Sequence, residues 1–111
     1  MAKKRYYVSV QSDAILENKG DAAFEFEIDA DEEEISRLQE LMDGRNEADN
    51  YAFIRAHVPF LEYHRDRPND VHDFYLKEIY GMLHRLGTPE TKRHIESMGV
   101  LDRPVGIDPG N

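Results

Sequence analysis

The chain has 111 residues, 40% of them hydrophobic and 33% charged, with no cysteine and a net charge of −9. That composition suits one domain with a single core and a crowded charged surface. The lack of cysteine excludes disulfides, thiolate zinc sites and a cysteine nucleophile, and so acidic a surface repels a phosphate backbone, so direct nucleic-acid binding is not expected.

Residues 5–11 alternate Tyr6, Val8 and Val10 with Tyr7, Ser9 and Gln11, which predicts a first strand with one buried face. Ser12-Asp13 can turn the chain into a short second strand over residues 14–16. Asn18-Lys19-Gly20-Asp21 is a strong turn signal, because Asn and Gly tolerate positive φ. Phe24, Phe26 and Ile28 then alternate with Glu25, Glu27 and Asp29, predicting a third strand over residues 23–29. The reading is an antiparallel meander, with Tyr6, Val8, Val10, Phe24, Phe26 and Ile28 on the face that helices must cover.

At Asp31 the period changes from two to 3.6. Asp31, Glu32, Glu33 and Glu34 sit where a helix begins, opposite the positive end of its dipole. The first helix is expected over residues 31–42, on Ile35, Leu38, Leu41 and Met42, with Gly44 as its terminating cap. A second helix is expected over residues 47–58, its small Ala48, Ala52 and Ala56 suggesting close approach to a neighbour. Pro59 stops it. Residues 59–69, PFLEYHRDRPN, show no periodicity. The third helix is expected from Asp70 to Leu86 on the stripe Val71, Phe74, Tyr75, Ile79, Met82, Leu83 and Leu86. The fourth starts at Thr88-Pro89-Glu90, carries Ile95 and Met98, and ends at Gly99. The fold class is therefore α+β: an N-terminal three-stranded antiparallel β-meander packed against three or four helices. Residues 1–99 form the domain, and residues 100–111, VLDRPVGIDPGN, form a Pro/Gly-rich tail.

No motif names a reaction. His57, Glu62, His64, Asp66, Asp70, His72 and Asp73 concentrate ligand-type side chains, and a metal-dependent hydrolase would use His57, His64, Asp66, His72 and Asp73. The pair His72-Asp73 resembles HD-type metal phosphohydrolases over two residues. That family draws its ligands from an all-helical domain, whereas this chain opens on strands. The spacing of His57, His64 and His72 matches no metal motif, so no cofactor is expected. The hydroxyls of Ser9, Ser12, Ser36, Ser97, Thr88 and Thr91 lie in no nucleophile elbow, and no glycine-rich phosphate loop is present.

Two features point to partners instead. Residues 1–50 carry 14 carboxylates against 6 cations, and residues 51–111 carry 9 against 8. A charged face of this kind can meet a basic protein or mimic nucleic acid through residues 25–34. Between residues 53 and 80, Phe53, Phe60, Tyr63, Tyr75 and Tyr80 exceed what one amphipathic stripe needs. Phe60, Tyr63, Arg65 and Arg67 combine aromatic anchors with an arginine rim and are the expected partner-binding residues. The expected function is a small acidic protein-interaction or regulatory module that binds a protein partner or a second copy of itself. Nothing approaches the roughly 20 apolar residues of a membrane span. The apolar run after Lys3-Lys4-Arg5 breaks at Ser9 and Gln11, short of a signal-peptide core, so a cytoplasmic location is expected.

Overall fold

Alternation along the first strand decides the architecture, because Tyr6 and Val8 are buried while Arg5 is exposed and Tyr7 half-covered. The structure, a computed structural model, describes residues 2–59 and 68–102. Strand β1 spans Lys4–Ser9, β2 Ala14–Leu16 and β3 Phe26–Ala30. They form an antiparallel sheet at the N-terminus, followed by four helices, as the change of period implies. Within the sheet the order is β2-β1-β3, so β1 lies in the middle, whereas a sequential meander would centre β2. Register pairs Tyr6 with Ile28 and Val8 with Phe26 on one side of β1, and Val8 with Ile15 on the other.

The connection over residues 17–25 accounts for that order. It carries the chain from one edge to the other, and Phe24 meets the Tyr7 ring edge-on at 5.0 Å. Phe24 thus precedes β3 and packs beside the outward-facing Tyr7, not in the core as its alternation suggests. Glu25 anchors the end of this connection. Its carboxylate accepts from the Ser9 hydroxyl at 2.6 Å and from the Val10 N–H at 2.8 Å.

Helix α1, Glu32–Asn46, begins with a reciprocal cap. The Asp31 carboxylate accepts from the Glu34 N–H at 2.8 Å, and the Glu34 carboxylate accepts from the Asp31 N–H at 2.9 Å. Replacing Asp31 with alanine should lower stability by about 1 kcal/mol, read as a drop in urea midpoint with an unchanged slope. The helix runs past Gly44 rather than ending there. Gly44 is buried under Tyr75, and any β-carbon at this position would overlap the tyrosine ring. Its lack of a side chain serves a close approach, not a left-handed cap.

Helix α2, Tyr51–His57, is shorter than its sequence pattern suggests. Asn50 accepts from the Phe53 N–H at 3.1 Å, so the helix starts at this cap rather than at Glu47. Ile54 is fully buried, but Ala52 and Ala56 are exposed, so these two small residues mark no close contact. Helix α3, Pro68–Leu86, starts two residues before Asp70, with proline at the first helical position. Helix α4, Pro89–Met98, has the expected ends: Thr88 accepts from the Thr91 N–H, and Gly99 takes φ 70°. Val100–Asp102 adds a 3-10 turn. Val100 and Leu101, which open the expected tail, pack partly buried against the core.

The core lies between the inner face of the sheet and the helices. Val8, Ile28, Leu38, Met42, Ile54, Val71, Ile79, Leu83 and Ile95 are all fully buried. Each such side chain stabilises the fold by roughly 1.5–3 kcal/mol relative to exposure. Residues 87–91 close the free edge of β3. Gly87 bridges Ile28, and the Thr88 N–H donates to the Glu27 carbonyl at 3.2 Å. The buried Thr91 hydroxyl donates to that carbonyl at 2.9 Å and accepts from the Glu27 N–H at 3.2 Å. Among the described residues, no strand pairs with the other edge, that of the three-residue β2. No described helix is long and apolar enough to cross a membrane.

Candidate functional site

Of the residues singled out from sequence, Phe60, Tyr63, Arg65 and Arg67 lie outside the described residues, as do His64 and Asp66. His57, His72 and Asp73 are described. His57 is exposed at the end of α2, its ring stacked on Phe53 at 4.0 Å and its Nδ1 2.9 Å from the Phe53 carbonyl oxygen. His72 is half-buried and Asp73 exposed, near the start of α3. Among the described residues, no three histidine or carboxylate side chains gather as a metal site would require.

The acidic stretch is largely occupied by partners within the chain. Glu25 holds the Ser9–Gln11 backbone and hydroxyl. Arg5 on β1 is flanked by β3 carboxylates, 3.0 Å from Glu27 and 2.7 Å from Asp29. Asp31 and Glu34 form the reciprocal cap, and Glu34 also faces Lys3 at 3.2 Å and Arg85 at 3.6 Å. A smaller recess of about 280 Å³ is lined by Glu25 and Glu27, both already engaged, together with Glu90. His84 and Glu96 join α3 to α4 at 2.6 Å, a contact the histidine's place near a helix end does not reveal.

Larger than that recess is a cleft of about 540 Å³ among the described residues, bounded by α1, α2 and α3. Its floor is apolar: Leu41 from α1, Phe53 from α2, Val58 just beyond it, and Phe74 and Tyr75 from α3. Leu41, Val58 and Tyr75 are buried, while Phe53 and Phe74 are half-buried and show part of their rings. Phe74 packs edge-on against Tyr75 at 5.4 Å. The rim is charged, with Arg37, Glu40, Asp43, His57 and Glu78. Arg37 pairs with Glu40 one turn away at 3.7 Å, and Gln39 donates to Asp43 at 3.0 Å. An apolar, aromatic floor with a few polar groups around it is the usual make-up of a ligand-accepting cleft, and this volume falls in the usual range.

Sequence reasoning found Phe53 and Tyr75 as surplus aromatics but missed Arg37, Leu41, Asp43, Val58 and Glu78 as members of one site. Their only local signal is helical spacing, such as Arg37 to Leu41 and Phe74 to Glu78, which any amphipathic helix shows.

Burial raises the phenol pKa of Tyr75, with Arg37 pulling it partly back; burial also raises that of Tyr80. Unfolded phenols ionise near pH 10, whereas these two resist. Their contribution to stability is intact below about pH 10 and falls as pH rises through the higher folded values. Urea melts at about pH 9 and pH 11 should show this loss, and Tyr75→Phe should reduce it.

Compared with protein-family models, curated proteins and solved structures, the chain matches none.

Proposed function

We propose that the chain is a small cytoplasmic protein-interaction module whose recognition surface is the cleft between α1, α2 and α3. The observation that supports this is the pairing of half-covered Phe53 and Phe74 with a charged rim. Aromatic rings at the centre and charges at the edge are the composition of binding hot spots and their surroundings. Phe60, Tyr63, Arg65 and Arg67, which follow Val58 in the chain, have the same composition and belong to the proposal on that ground. The test is Phe53→Ser, compared with the wild-type chain in quantitative capture of interacting proteins. Specific partners should drop at least tenfold while the melting temperature falls by only a few degrees, because Phe53 is half-buried. Undiminished capture by the variant would remove the cleft from the proposal.

A second reading, self-association, is favoured by the edge of β2, with which no strand pairs among the described residues. An open strand edge is a template for another strand. Light scattering at micromolar concentration separates the two readings, since a strict monomer leaves only the cleft.

A further inference from the structure

We infer that the cleft's partner is a cationic amphipathic helix, apolar on one face and rich in lysine or arginine beside it; this rests on the cleft being a protein-binding surface. The argument is one of complementarity. Glu40, Asp43 and Glu78 stand around an apolar floor, and Arg37, 3.7 Å from Glu40, offsets one of the three carboxylates. The rim therefore sets three carboxylates against one guanidinium, in a chain of net charge −9. Such a field draws cations toward the cleft and disfavours acidic segments before any contact forms. The floor then selects shape. Side chains one helical turn apart can enter beside Phe53 and Phe74, as anchors at i and i+3 or i+4 do in helix-in-groove recognition. Flanking lysines on the same helix reach the rim carboxylates along their flexible stems. An acidic helix would place like charges against Glu40, Asp43 and Glu78, and a uniformly polar basic segment would leave the floor uncovered.

The probe is a synthetic peptide of about 15 residues, long enough to form a helix when docked. It carries leucine and phenylalanine at i, i+3, i+4 and i+7 and lysine at most other positions. Two comparison peptides isolate the terms: one of the same composition with the apolar spacing permuted, and one with glutamate replacing lysine. Fluorescence anisotropy at about 0.15 M salt limits long-range effects to within a Debye length of roughly 8 Å. The basic amphipathic peptide should bind at least tenfold more tightly than either comparison.

On the protein, Glu40→Lys with Glu78→Lys should weaken that binding at least tenfold. Asp21→Lys with Glu90→Lys makes the same change in net charge at exposed positions outside the cleft, and should weaken it less than threefold. All four side chains are exposed, so losing the Arg37–Glu40 pair in one variant and the first-turn acid of α4 in the other should lower either melting temperature by no more than a few degrees. Equal losses in the two double variants, or equal binding of the permuted peptide, would reduce the effect to general charge attraction and overturn the inference. Tighter binding of the glutamate peptide would overturn it as well. If Phe53→Ser abolishes capture of natural partners while no basic peptide binds, the partner class is wrong and the cleft remains the recognition surface. If Phe53→Ser spares both, the underlying reading fails.

Discussion

Replacing Asp13 with alanine should lower stability by roughly 3 kcal/mol, within the range for losing one partner of a largely buried ion pair plus the strain of a left-handed backbone. Asp13 sits at φ 54° in the turn between β1 and β2, and its carboxylate pairs with Arg45 in the last turn of α1. The Arg45 side chain is only 12% exposed and also donates to the Val10 carbonyl at 3.0 Å. With alanine at position 13 the guanidinium keeps that one carbonyl and loses its counter-ion, while the new side chain meets a steric cost that aspartate tolerates better. The two effects separate cleanly. Asp13→Gly relieves the backbone but not the charge, so it should be less damaging than alanine by about 1 kcal/mol and still clearly below wild type. At about 4 °C or more per kcal/mol, the alanine variant should melt roughly 10 °C low or more. If glycine restored wild-type stability, the ion pair would contribute nothing and the turn geometry would explain everything.

Gly44→Val should cost about 3 kcal/mol, at the upper end for overpacking a tight contact. Helix propensity alone argues the other way, since glycine inside a helix is the poorer residue. Packing wins here because the overlapping atoms belong to the Tyr75 ring, which is itself only 5% exposed and has little room to withdraw. Gly44→Ala is the finer test. It gains about 1 kcal/mol of propensity and still meets the ring, so it should be neutral to moderately destabilising. Combining Gly44→Ala with Tyr75→Leu should cost less than the sum of the two single changes, a coupling that denaturant melts can resolve. Strict additivity would show that α1 and α3 shift apart without penalty.

Local signals carried the elements well. Thr88, Pro89 and Gly99 bracket α4 through bonds and dihedrals that involve only near neighbours, and the reading from sequence matches the structure there. Asp31 and Glu34 behave likewise at the start of α1. What the sequence could not display were contacts between distant segments. Phe24 keeps perfect alternation with Phe26, yet its partner is Tyr7 on the other face, because the chain enters β3 two residues later. Gly44 looks like a helix stop until Tyr75, on another helix, is known to lie on it. Thr91 reads as an ordinary helical hydroxyl, and only the fold brings Glu27 to it. The cleft is the extreme case. Its walls come from three helices, and each of Arg37, Glu40, Asp43 and Glu78 looks alone like a solvated surface charge.

The closure of β3 by Thr88 and Thr91 limits how many neighbours the sheet can recruit. With one edge sealed, and with β2 bordered by no further strand among the described residues, the sheet has a valency of at most one: any extra strand, from a partner or from its own copy, would have to join at β2. Two copies joined through that edge would each present a sealed edge outward, and growth would stop at the pair. A sheet open on both sides would add subunits without end and become a fibre. Two threonines at a helix start thus act as a chain terminator for strand addition.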